Sequence, residues 1–214
     1  MNQIENKYSG IDASCRVPLL ALFGGASLWL IVGLALAIVA SLVFHKPDLF
    51  ADCPFFTYGR IQPAANDAIV YGFAIPAALG VMLWIFARLS ESELLLPLLP
   101  IVAANIWHLG VLIGVVGILI GDSTGFAWLE FPRAGSVSLF AAYLLIAISA
   151  AGTFGARRQR VLAPAHWFLL AALFWFPWIY STANLFLVAW PVRGVAQAVI
   201  DWWFSNNLIF VWFS

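Results

Sequence analysis

Six apolar stretches, each about twenty residues or longer, constrain this chain more than any other feature. They run roughly over 17–44, 64–88, 94–120, 135–155, 166–191 and 195–214. The hydrocarbon core of a bilayer is about 30 Å thick and an α-helix rises about 1.5 Å per residue, so about 20 mostly apolar residues cross it. Inside lipid every backbone N–H and C=O must find its partner within the protein, which leaves helices or closed barrels. A barrel needs strands of about ten residues with alternating polarity, and no such alternation is present. The sequence therefore predicts an all-α integral membrane protein with six transmembrane helices, forming a single domain over 1–214.

Composition closes off the alternatives. Apolar residues make up 64% of the chain and charged residues only 9%, against about 25% charged in a soluble domain. Too few charges remain to coat a water-facing surface. Ten basic and ten acidic residues cancel, so no net field recruits a nucleic acid. Two cysteines, Cys15 and Cys53, make neither a disulfide framework nor a zinc site. The first sixteen residues are polar, with Lys7, Asp12 and Arg16, and the first apolar stretch exceeds a signal-peptide core, so it reads as a retained helix. No long-period repeat and no low-complexity segment is visible.

Positive charge sets orientation. With six crossings, Lys7, Arg16, Arg88, Arg157, Arg158 and Arg160 share the N-terminal face, and Lys46, Arg60, Arg133 and Arg193 share the other. The bias places the N-terminus in the cytoplasm. Other features speak of packing. Gly110, Gly114, Gly117 and Gly121 lie along the third helix, where small residues let helices approach closely. Pro76, Pro100 and Pro177 fall inside apolar stretches, where neighbouring helices compensate for a lost backbone bond. Trp128 and Phe131 are expected in the interfacial belt. The aromatic run at 173–178 is expected to fill space at mid-depth.

Ionisable and polar groups inside a membrane are the default functional candidates, since burying them is costly. His108 sits midway along the third helix. Asp67 lies near the outer start of the second. Asp201, Asn206 and Asn207 occupy the sixth, and Ser181, Thr182 and Asn184 the outer half of the fifth. A pair of haem-ligating imidazoles needs two histidines at one depth on facing helices. His45, His108 and His166 fall at three different depths, so an internal bis-histidine haem is not expected. His108 is either a histidine hydrogen-bonded inside the bundle or a single haem ligand partnered from another chain. Asp201 is either a proton-relay carboxyl or a neutral acid bonded to a neighbour. Asp67 is expected to be solvated or paired with a cation, Arg60 first. No phosphate-binding loop, nucleophile elbow or H-E-x-x-H helix is present.

Several local strings resemble a known family. Tyr58-Gly59-Arg60-Ile61-Gln62-Pro63, leading into Asn66-Asp67-Ala68-Ile69-Val70-Tyr71-Gly72-Phe73, resembles F-G-R-L-R-P-L-H-T-N-A-V-I-F at the start of the second helix in subunit I of cbb3-type haem–copper oxidases. Trp128-Leu129-Glu130-Phe131-Pro132 is similar to that family's E-L-E-W-P loop. His166-Trp167-Phe168 is similar to its N-W-F, and Ala183-Asn184-Leu185 to its N-N-L. Gln197-Ala198-Val199-Ile200-Asp201-Trp202-Trp203-Phe204-Ser205-Asn206-Asn207 resembles D-A-M-V-Q-W-W-Y-G-H-N. The order and helix count agree with the first half of a twelve-helix subunit.

The resemblance implies a respiratory membrane protein of the bacterial inner membrane. Family members reduce O2 to water with electrons from cytochrome c, using a haem b, a second haem and a copper. It also implies where this chain departs from that chemistry. The histidine that ligates haem b in the family falls on Ala65, and the helix-six copper histidine falls on Asn206. An amide is a poor copper ligand beside imidazoles. The second Arg of F-G-R-L-R-P is Gln62, and only Arg60 keeps its counterpart. The remaining ligands belong to later helices of the family. No haem or copper is therefore expected in the isolated chain, with Arg60 and His108 as the residual candidates for haem contact. The readings that follow are a diverged, ligand-free relative acting as a subunit of a respiratory complex, or a front half completed by a missing C-terminal half. Partners are membrane lipid and other membrane subunits. A third reading, a small transporter or channel, would route polar species past Asp201, Asn206 and Asn207. No inverted repeat or matched pair of broken helices supports it.

Overall fold

The apolar stretches fold as helices. The computed structural model describes residues 2–159 and 161–213, with side chains from Tyr8 onward, so the side chain of Lys7 and the whole of Arg160 and Ser214 lie outside the described residues. Helix α1 is Asn2–His45. Helix α2 is Tyr58–Ser90, α3 Leu98–Ile120, α4 Arg133–Gly155 and α5 Pro164–Ala189. Helix α6 runs over Val195–Asn206 and continues as a π-helical segment, Asn207–Trp212. Among the described residues there is no strand. Five helices, α1 to α5, are long and apolar enough to cross a membrane. Helix α6 is shorter and diluted by Asp201, Asn206 and Asn207, so it falls below that threshold.

Three starts differ most from the sequence reading; one is α3, which begins at Leu98 behind Pro97 and not at 94. Helix α1 begins at Asn2, well before position 17. Its polar first turns are held by side chains on α2: Arg88 forms an ion pair with Asp12, and the Trp84 indole donates to the same carboxylate at 3.0 Å. Helix α2 begins at Tyr58, not 64, and carries Pro63 inside it, where the ring removes one backbone hydrogen bond of the helix.

The closest helix crossing is between α3 and α4, and glycine makes it possible. A Cβ on Gly135 would come within 3.1 Å of the Gly110 carbonyl and 3.3 Å of the Gly114 nitrogen. Gly121 then ends α3 at φ 95°, a left-handed turn that glycine adopts without strain. The connection 121–132 folds back over the crossing. Phe131 seats its ring against Gly114, and Pro132 lies 2.6 Å from where a Cβ on Gly117 would stand. Phe131 is therefore buried, 2% exposed, and not interfacial as its place in a loop suggested. The notch at Gly114 offers it more apolar contact than the headgroup layer would.

One hydrophobic core draws on every helix, through Ile11, Tyr71, Trp107, Tyr143, Phe176 and Phe204. Aromatic stacking runs along α5. Phe176 stacks on Tyr143 at 4.4 Å and on Tyr180 at 5.3 Å. The 173–178 run is thus split: Leu173 and Phe176 fill the core, while Phe174 and Trp178 face outward.

The crossing yields a direct test. Gly114→Leu must displace the Phe131 ring, an overpacking worth about 1–3 kcal/mol. Thermal unfolding in detergent should show a clear drop in midpoint. Gly24→Ala, where an added Cβ meets nothing within 4 Å, should not lower the midpoint, since alanine favours the helix.

Candidate functional site

Helix α2 changes register in the middle of its span. Residues Ala68–Ala74 are π-helical, and the Ile75 N–H reaches the Val70 carbonyl, five residues back. In an α-helix that N–H would serve Tyr71. The freed Tyr71 carbonyl instead accepts a hydrogen bond from Trp107 Nε1 of α3 at 2.7 Å. The Tyr71 hydroxyl donates to the Trp128 carbonyl at 2.5 Å, and its ring lies 5.2 Å from Phe131 and 6.4 Å from Tyr180. Such single-turn π segments recur at functional sites.

Asp67, the last residue before the register change, is fully buried. Neither of its carboxyl oxygens has a hydrogen-bond donor, and it faces the Glu130 carboxyl of the 121–132 loop. That loop is held by Thr124, whose hydroxyl donates to the Leu129 carbonyl at 2.7 Å. Glu130 is half-buried. Burial pushes its carboxyl up to about 7, and the nearby charge of Asp201 adds to the rise. Asp201, also half-buried, keeps Oδ1 without a donor. Two carboxyls facing each other away from water disfavour each other's charge, an environment that general acid–base sites also use.

The expected Arg60–Asp67 pair is absent. The Arg60 guanidinium donates to the Leu119 carbonyl at 3.2 Å and lies over Gly121. It closes the C-terminal end of α3, where helix carbonyls lack partners and a cation is favoured. Asp67 is neither solvated nor cation-paired.

The remaining candidates are dispersed. Asn206 donates to the Trp202 carbonyl and Asn207 to the Trp203 carbonyl, each at 2.8 Å. Asn207 also accepts from the Trp175 indole at 3.2 Å. Both amides are thus turned back on their own helix. Ser181 and Asn184 line a pocket of about 330 Å³ with Arg133, which donates to the Val188 carbonyl at 3.1 Å. The three histidines lie apart. His45 bonds the Ser41 carbonyl at 2.7 Å. His166 is buried beside the Phe86 and Phe154 rings, 6.1 and 5.8 Å away. His108 fits into a notch over Gly25 of α1, against the backbone of Ala21 and Leu22. Among the described residues, no three metal-ligating side chains converge.

Ala65 decides how far a haem fits. It is 0% exposed, and its carbonyl lies 3.4 Å from where a Cβ on Gly33 of α1 would stand. Helices α1 and α2 are closed there, and a methyl group offers no donor atom. Neither Ala65, Arg60 nor Asn206 is arranged to hold the family's cofactors. Glu130 went unremarked as a site residue in the sequence, although a lone acid between Leu129 and Phe131-Pro132 was its available signal. The register change in α2 has no signal in residue type alone.

No family model matches the chain. It is 22% identical over 189 residues to the cbb3-type cytochrome c oxidase subunit CcoN1 of Stutzerimonas stutzeri, covering 85% of this chain and 40% of that protein. It is 22% identical over 194 residues to the cytochrome c oxidase subunit 1 homolog of Azorhizobium caulinodans, covering 86% and 35%. It is 23% identical over 195 residues to cytochrome c oxidase subunit 1 of Rhodobacter capsulatus, covering 85% and 36%. The chain thus spans well under half the length of the curated relatives it matches.

Glu130 gives this site a pH signature. Its carboxyl rises from the usual 4.5 to about 7 in the folded chain, so folding favours the protonated acid. That contribution is full below about 4.5 and is lost as pH climbs through about 7. Stability in detergent should fall across this window, and Glu130→Gln should flatten the slope.

Proposed function

We propose that this chain, a distant homologue of part of subunit I of cbb3-type cytochrome c oxidases, is a diverged, partial member that serves as a membrane-embedded subunit of a respiratory complex. Its own residues do not carry the oxygen-reducing centre. The observation that carries this reading is Ala65: the position that holds a haem-ligating histidine in the family is a methyl group, packed closed against α1. Supporting it, Asn206 stands at the copper-ligand position and Gln62 at one of the two arginines. Arg60, the arginine that remains, is engaged by the end of α3.

Retention of the helix framework without those ligands fits a role in assembly. The partners of this reading are other membrane subunits, or a separate chain resembling the family's second half, in a bacterial inner membrane with the N-terminus in the cytoplasm. A small channel through Asp201, Asn206 and Asn207 fits less well, because both amides bond their own helix.

Two measurements test this. The purified chain should hold far less than one haem per molecule and should not reduce O2. Its reduced-minus-oxidised difference spectrum should lack a b-type band, with His108→Ala indistinguishable from it. A stoichiometric band that disappears in His108→Ala would overturn the ligand-free reading. For orientation, a cysteine introduced at Gln159 in a background lacking Cys53 should be shielded from an impermeant reagent in intact cells, and one at Asp122 should react. The opposite labelling would reverse the topology.

A further inference from the structure

At the end of the bundle where α1 begins and α2 finishes, one acid is saturated and one cation is not. Asp12 receives Arg88 Nε at 2.9 Å, Arg88 Nη2, and the Trp84 indole at 3.0 Å. The Arg88 guanidinium also lies over the rings of Tyr8 and Trp84, 5.0 and 4.9 Å from their centroids. One turn further along α1, Arg16 is exposed. Among the described residues it makes no ion pair or hydrogen bond. The apolar stretch begins at position 17, so Arg16 immediately precedes the apolar part of α1.

Beneath it a groove of about 610 Å³ runs along α1 and is closed on one side by α2. Asp12 and Arg16 form its rim; Leu19, Leu20, Phe23 and Trp84 form its walls. We propose that this groove binds one anionic phospholipid, with its phosphate on Arg16 and an acyl chain along the apolar walls. Charge complementarity selects the occupant. Arg88 cancels the charge of Asp12, so that carboxylate neither neutralises Arg16 nor repels a phosphate. Arg16 is left as a basic group facing an anionic surface. A free phosphate ion would use the rim alone and leave the walls uncovered. A phospholipid matches both, polar above and apolar below. The site is independent of any cofactor and of the buried carboxyls at the other end of the bundle.

Native mass spectrometry of the purified, delipidated full chain tests the site, with dioleoyl phosphatidylglycerol, dioleoyl phosphatidylcholine or inorganic phosphate added at equal concentration. One phosphatidylglycerol per chain should be retained under conditions that strip phosphatidylcholine, and phosphate alone should not be retained. Arg16→Gln should weaken that retention roughly fivefold, the effect of one basic residue near an anionic lipid. Arg16→Lys should keep it, and Arg158→Gln, on an exposed loop, should leave it unchanged. Equal retention of the two lipids, or undiminished retention by Arg16→Gln, would overturn the proposal. Retention of phosphate alone would show an ion site and overturn the lipid assignment.

Discussion

The α3–α4 crossing is the contact on which the end of the bundle carrying the 121–132 connection depends. Gly110, Gly114 and Gly135 bring two backbones so close that a Cβ on Gly135 would stand only 3.1 Å from the Gly110 carbonyl. Because lipid tails are as apolar as leucine, helices gain little by merely hiding apolar area from one another, and close packing supplies the attraction. The crossing shortens the path the 121–132 connection must take, and Phe131 drops into the space at Gly114. With Phe131 seated, half-buried Glu130 beside it meets Asp67. A structural economy in one helix pair thus places two acids together.

The helices were legible because their signal is length and apolarity, and the bilayer accepts few other solutions. The glycine crossing was legible for a related reason, since small residues four apart have one main use in such a helix. The site was less so. Asp67 read as a solvated or cation-paired acid near an end of α2, and what it faces instead is a loop more than fifty residues away. Phe131 read as interfacial because loops usually are. Only the fold-back over Gly114, a tertiary event, makes it core. His108 could be read either as a ligand or as a packing group. The notch at Gly25, on a different helix, seats the ring against the α1 backbone.

The divergence from the oxidases follows a physical logic. A haem ligand in the middle of a helix is an obligation to leave space, and a chain released from it can close that space. Ala65 against Gly33 is such a closure, small against small. Arg60 serves the carbonyls that end α3.

The extra residue in α2 has a rotational consequence. Each residue of an α-helix turns the face by about 100°. The inserted position between Asp67 and Ile75 therefore sets the angular phase of everything before it against everything after. Trp107 holds the carbonyl that this phase leaves spare. The indole acts as a pawl: its hydrogen bond favours this register, the one in which Asp67 is buried. An aromatic side chain on α3 thereby governs which way a carboxyl on α2 points without touching the carboxyl.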